Sequence, residues 1–348
     1  MWTRGLHRAA AACALGLTLA TASQGLLAGE PPAGRKPEVW AVLLGGSQGE
    51  QVYGRVMSDW LARMHALLTK QWKIDSARVT VVAEKHAKVK LPPVEAPTLE
   101  NIRKAFAKLK GSLKKGDRLV LFVVGHGQTN EPVGKLCLPG PDLGADDLAK
   151  MLDGLATNNI VVLHCAGGGA EFQQKIAKEG RVIVCASGKL GEGNQSYFAE
   201  FLLRAYETGA ADENKDGRVT LLEAYNWAGH ETANWYHRQY RTEDGAWRVL
   251  GKNTRAIWKK LYEGSDKRLE PPQDPDDADT EPVWGKEPTQ EWFSRRILTE
   301  HASLDDRGEQ LGSIVWLSNE FRPLTGAEPD QQGAVARRLL LERPELVP

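Results

Sequence analysis

Charge of a single sign is the first thing this chain lacks. Its 45 Lys and Arg stand against 45 Asp and Glu over 348 residues, a formal net charge of zero. Nucleic acid and acidic membrane surfaces recruit proteins through positive charge, so neither is indicated as a partner, and no basic tract reverses that reading. Internal repeats are absent too, which removes solenoid and propeller architectures. Cysteine is scarce, at four. There is no C-x-x-C and no paired Cys/His spacing of the kind a structural zinc site requires. Beyond the first residues, no apolar run approaches the roughly 20 residues of a membrane-spanning helix.

What is there begins with an N-terminus that does not belong to the fold. MWTRGLHR carries Arg4 and Arg8, and the apolar run AAAACALGLTLATA follows. Ala20-Thr21-Ala22 offers a small-x-small cleavage site, with Ala28 a second candidate, so residues 1–22 read as a secretory signal peptide, with an uncleaved anchor as the minor alternative. The chain is therefore expected to be exported, periplasmic or extracellular, with no stable membrane span after cleavage. Removing residues 1–22 takes away two arginines and no acid, which leaves the mature chain two charges negative. Cys137, Cys165 and Cys185 then remain. An odd number in an oxidising compartment leaves at least one thiol unpaired.

Residues 23–37 read as a linker, and from 38 to 210 strand-like and helix-like segments alternate. Strands are expected at 38–46, 77–84, 119–124, 159–164 and 181–187, as near-continuous apolar runs. Helical spacing covers 48–72, 98–113, 145–155 and 194–209. This alternation predicts an α/β fold, a mainly parallel sheet covered on both faces as a three-layer α/β/α sandwich. Crossovers in such sheets are right-handed, so the parallel strands end on one edge, where ligands bind.

Two chemically active residues are expected on that edge. LVLFVVGHGQ ends its strand on His126, between Gly125 and Gly127, and the next parallel strand reaches His164-Cys165. Neighbouring strands lie about 4.8 Å apart, so a histidine and a cysteine just past their ends can form a base–nucleophile pair. Glycines beside the histidine keep the ring uncovered, and Gly167-Gly168-Gly169 opens space after the cysteine. The amides of Gly127 and Cys165 are the nominated oxyanion donors. Cys185 reads as core and Cys137 as a small hairpin residue. If Cys165 works as a thiol, Cys137 and Cys185 are the remaining pair for a disulfide. The rival reading is an α/β-hydrolase, but the segment around Cys165 is L-H-C-A-G, without the first glycine of the nucleophile elbow. Late histidines such as His230, His237 and His301 would leave Gly-His-Gly without a purpose.

VVGHGQ and VVLHCAGGG, in that order, resemble the caspase/legumain-like cysteine peptidases of the caspase-haemoglobinase fold. LCLPGPDLGADDLAKML, NQSYFAEFLLRAY, TEHASLDD and QQGAVARRLLLE resemble further segments of bacterial legumain-like members, so the likeness covers most of residues 38–343. It implies a caspase-like sheet and a cysteine endopeptidase acting on protein or peptide substrate, with Cys165 as nucleophile and His126 as general base and acid. The family's pattern is not kept everywhere. Leu163 stands where arginine-cleaving relatives hold an acid, Gly125 where legumains proper hold one, and His164 where a small or acidic residue is usual. These departures keep a second reading open, a catalytically silent caspase-like module that binds calcium and a partner protein.

A second motif is independent of the first. DENKDGRVTLLE, residues 212–223, fills the key positions of an EF-hand calcium loop. Asp212, Asn214 and Asp216 supply alternate oxygens, Gly217 the sharp turn, Arg218 a carbonyl, Thr220 the ninth position and Glu223 a bidentate carboxylate. Helical segments flank it within 211–263, and a structural Ca2+ is the expected cofactor, with none required for the chemistry. Residues 264–290 are acidic and Pro-rich, an extended linker. A C-terminal extension, 291–348, follows with helices expected near 291–301 and 330–342. Asp305-Asp306 is left as a turn.

Overall fold

The computed structural model describes residues 35–49, 51–87, 89–128, 134–188, 196–239, 300–313, 315 and 317, those at 51, 52 and 237–239 by their backbone alone. The expected signal peptide, the 264–290 linker and the helix near 330–342 lie outside these residues.

The apolar runs become strands β1 (Val39–Gly45), β2 (Val79–Val82), β3 (Arg118–Gly125), β7 (Ile160–Ala166) and β8 (Arg181–Cys185). They form one sheet in the order β2-β1-β3-β7-β8, closed at its far side by β9 (Ser303–Asp305). The first five are mutually parallel, and β9 runs antiparallel to β8. A small sheet of β4 (Gly127–Gln128), β5 (Lys135–Leu136) and β6 (Leu143–Gly144) lies between β3 and β7 in the chain. Cys137 directly follows β5, in the hairpin expected for it.

Because side chains alternate along a strand, each run divides between two cores. Val120, Phe122, Val124, Leu163 and Cys165 pack with α1 (Gln51–Ala66), α5 (Phe198–Thr208) and α6 (Leu221–Gln239). Leu119, Leu121, Val123 and Val162 pack with α2 (Leu99–Ser112), α3 (Ala145–Asp153) and α4 (Gly169–Ile176). The result is a three-layer α/β/α sandwich, as the alternation predicts. Thr98 caps α2, its side chain accepting from the Asn101 amide at 3.2 Å, which satisfies one of the first-turn donors.

Three elements differ from expectation. β7 runs on through Cys165 to Ala166, so the cysteine lies inside the strand rather than beyond it. Gly168, at φ 74°, starts α4, so the glycine run initiates a helix instead of leaving open space. And β9 pairs with β8 through residues whose sequence shows no apolar run.

Candidate active site

His126 stands where three strand ends converge, and its flanking glycines are required by that crowding. Gly125 has φ 154°, and a Cβ there would lie 3.0 Å from the Gly46 backbone at the end of β1. A Cβ on Gly127 would lie 2.0 Å from the Gly167 carbonyl oxygen at the end of β7. The glycines admit neighbouring backbone, with the ring between them half-buried. Its Nε2 is 3.3 Å from the Gln48 carbonyl oxygen, and its ring meets Tyr53 of α1 edge-on at 5.4 Å. These partners were not foreseen from sequence. The signal for them is GGSQGEQVYGR, a glycine-rich exit from β1 that leads into α1. Gly45-Gly46-Ser47-Gln48-Gly49 has the G-x-S-x-G spacing of a nucleophile elbow, so the case against an α/β-hydrolase does not rest on that spacing being absent from the chain. Ser47 is not among the residues at positive φ, however, and its amide donates to the Cys137 carbonyl at 2.8 Å. The pentapeptide is a turn that brings Gln48 to His126.

Cys165 pairs in register with Val124, so the thiol belongs to the strand next to the one that presents His126. Both residues lie on the face covered by α1, α5 and α6. Cys165, expected just past a strand end with open space after it, is instead buried, at 1% exposed. Burial, aided by Cys185 and Glu300 nearby, pushes its pKa well up, so the resting group is a protonated thiol. Among the described residues no hydrogen bond joins it to His126. The Ala186 amide donates to the His164 carbonyl at 2.9 Å, which turns the backbone groups of His164 toward β8. By the alternation of a parallel ladder, the amide of Cys165, a nominated oxyanion donor, then points toward β3 in this conformation. The Gly169 amide is also committed, donating to Ser187 Oγ at 3.0 Å.

All three cysteines described are free, so Cys137 and Cys185 form no disulfide. Cys185 is core, as expected, and its thiol donates to the Gly169 carbonyl at 3.3 Å. His164 is fully buried on the opposite face, against Phe172 at 4.4 Å, with neither ring nitrogen hydrogen-bonded. Burial pushes its pKa down to about 4, so the ring is neutral. Its departure from the family pattern therefore sits across the sheet from the thiol.

The wall beside Cys165 includes a residue the sequence does not announce. Glu300 is buried and accepts four hydrogen bonds. They come from the Tyr197 and Phe198 amides at 2.6 and 3.0 Å, Ser196 Oγ at 2.8 Å and Tyr236 Oη at 2.8 Å. Burial nevertheless pushes its pKa up to about 7.

Residues 209–220 connect α5 to α6, so the loop 212–223 ends in the first turn of α6. Asp212 accepts from the Asp216 and Gly217 amides at 3.1 and 2.9 Å, and Asp216 accepts from the Arg218 amide at 2.9 Å. Lys215 and Gly217 turn the chain at φ 59° and 82°. Glu223 accepts from the Thr220 amide and hydroxyl, both at 2.8 Å, and the Glu223 amide donates back to Thr220 Oγ1 at 3.2 Å. This reciprocal capping box at the start of α6 was present in the sequence as T-x-x-E and was missed. The Asn214 amide lies 3.5 Å from Glu223 Oε1, which closes the loop on itself. In this conformation no three His, Cys, Asp or Glu side chains among the described residues converge as a metal-binding group. The Leu221 amide donates to the Val315 carbonyl at 2.9 Å, tying the loop to the C-terminal segment.

Neither a family model nor a curated protein matches the chain. Among solved structures it is similar to protein GSU0716 of Geobacter sulfurreducens, at 17% identity and a TM-score of 0.39, over 56% of this chain and 89% of that one. It is also similar to the Drosophila initiator caspase Dronc, at 10% identity and a TM-score of 0.34, over 60% of this chain and 75% of that one. The α/β fold itself rests on the strand order and the two helical layers described above. No helix among the described residues is long and apolar enough to cross a membrane.

Proposed function

We propose that this chain is an exported cysteine endopeptidase of the caspase/legumain-like type, with His126 and Cys165 as its catalytic pair and a structural calcium ion in the loop 212–223. One observation carries the reading. His126 and Cys165 stand at the carboxyl ends of adjacent parallel strands, on one face of the sheet. When a peptide docks, the Cys165 thiol passes its proton to the imidazole of His126, and the sulfur attacks the scissile carbonyl carbon. The oxyanion that forms lies near the Gly127 amide. His126 then gives the proton to the departing amine, and the C–N bond breaks to leave a thioester. Water hydrolyses the thioester with His126 as base and restores the thiol. The Gln48 carbonyl and Tyr53 orient the ring for these transfers. Since the thiol rests buried and protonated, docking must part the edge around it.

The calcium part of the reading is supported by the spacing of oxygens along the loop, and by the Asn214 backbone amide meeting Glu223 Oε1 across it while Asp212 and Asp216 line the same turn. Asp212, Asn214, Asp216 and Glu223 would hold the ion with the Arg218 carbonyl and Thr220, and its contribution there is order rather than bond cleavage. The burial of Cys165 and its lack of a bond to His126 favour the second reading, a silent calcium-binding module. An electrophilic peptide probe, with its adduct mapped by mass spectrometry, separates the two. Labelling at Cys165 that disappears in His126→Ala supports the peptidase. A folded protein in which no probe of a broad peptide panel reaches Cys165 supports the module.

A further inference from the structure

The C-terminal segment reaches the candidate site from far along the chain and makes contacts that a passive tail does not need. Glu300 fastens the N-terminus of α5 through two amides and Ser196, and fastens α6 through Tyr236. The next residues hold the exit of β8. The Gly188 amide donates to the His301 carbonyl at 2.7 Å, and Ser303 Oγ donates to Gln173 Oε1 at 2.6 Å. Tyr197, Tyr236, Ala186 and Cys165 belong to one buried cluster, and Glu300 lies close enough to Cys165 to act on its charge, so what fixes the first two bears on the surroundings of the thiol. A buried carboxylate is costly unless it is hydrogen-bonded, and four donors aimed at one group indicate a built anchor.

We propose that Glu300 is a positioning residue of this site, anchoring α5 and α6 to the carboxyl edge and setting both the cover and the electrostatic surroundings of Cys165. The inference rests on Cys165 as the site's thiol. Its test reads that thiol directly, so a chain that cleaves no peptide still tests it. The folded full-length protein is alkylated with iodoacetamide across a range of pH, and each cysteine is quantified by mass spectrometry, with Cys185 as the buried internal reference. Glu300→Gln keeps the size of the side chain and removes its charge, so the midpoint for Cys165 moves to lower pH while that for Cys185 stays. Glu300→Ala also removes the anchor, so Cys165 reacts about tenfold faster while Cys185 does not. Either variant leaving Cys165 unmoved overturns the proposal, as does an equal gain at Cys185, which would mark general loosening. If Glu300→Ala does not fold, Tyr236→Phe removes one donor of the four and must accelerate Cys165 over Cys185 by a smaller factor. No acceleration there overturns it too.

Discussion

The strand edge that carries His126 and Cys165 and the loop from Asp212 to Glu223 hold chemistry in opposite ways. The loop leaves Asp212, Asn214 and Asp216 at least partly exposed and is shaped mainly by its own short bonds, from Asp216 to Asp212 and from Asn214 to Glu223, with one backbone tie to Val315. The edge buries its thiol and is shaped by Gly46, Gln48, Gly167 and Glu300, brought together from distant parts of the chain. A loop of the first kind is written in one stretch of sequence, and its ligand needs only a local adjustment. An edge of the second kind depends on everything packed around it, so its chemistry can be present and closed at once.

The sharpest way to break this comparison is at the thiol. Cys165→Ala should abolish peptide cleavage. Because the sulfur is buried, it should also cost about 1 kcal/mol of stability, the scale of a small buried deletion, measured by denaturant unfolding. His126→Ala should lower kcat by at least about 100-fold, the scale of general acid–base catalysis. The half-buried ring carries little packing, so the melting temperature should hardly move. Equal losses of stability in the two variants would contradict the contrast between a buried thiol and an accessible base. Gly127→Ala tests the crowding itself. A methyl group directed at the Gly167 carbonyl must push two strand ends apart, with an expected loss of about 2 kcal/mol, read by thermal unfolding. A neutral result there would mean that the strand ends are not held together.

Much of the sheet was legible because β1, β3, β7 and β8 are unbroken apolar runs, and burial on both faces demands nothing else of a parallel strand. The strand β9 was not, because Ser303-Leu304-Asp305 is short, lies at an edge and takes its place from β8 rather than from its own composition. The helix α4 was hidden by the glycines that start it. His126 and Cys165 could be named from their strand-end positions, whereas the depth of Cys165 could not. The buried cluster around it includes Leu311, Val315 and Leu317, reached only after the 264–290 linker. The loop 212–223 was legible as a motif. Its tie to Val315 was not, because a backbone bond leaves no mark on residue type.

Two buried titratable groups on opposite faces of the sheet extend the comparison to pH. His164, its pKa lowered to about 4, contributes stability that is complete above its ordinary value near 6.5 and is lost as pH falls through that range toward about 4. Glu300, raised to about 7, contributes stability that is complete below its ordinary value near 4.5 and is lost as pH rises through about 7. Between about pH 4.5 and 7 the two trends therefore oppose, and Glu300→Gln should remove the loss of melting temperature on raising pH while leaving the gain that His164 supplies. A pH profile of melting temperature over that range left unchanged by the variant would remove Glu300 as a contributor.

The smallest effect belongs to the loop. An ion that binds the folded chain alone stabilises it by mass action, by about 1.4 kcal/mol at ten times the dissociation constant. In a chain of this length that is a rise of a few degrees in melting temperature. Extracellular loops of this kind bind calcium at about 0.1–1 mM, so the rise should appear at millimolar calcium. Glu223→Ala should abolish it. That variant should also start from a lower melting temperature without calcium, since Glu223 closes the capping box with Thr220, an interaction worth about 1 kcal/mol. The two losses separate in a calorimetric titration, which reads binding and not the cap. Asp216→Ala leaves the box intact, so it should lose calcium while melting near the wild-type temperature in its absence. A wild-type chain that takes up no calcium at several millimolar, yet loses stability in Glu223→Ala, would leave the loop as a helix start and nothing more.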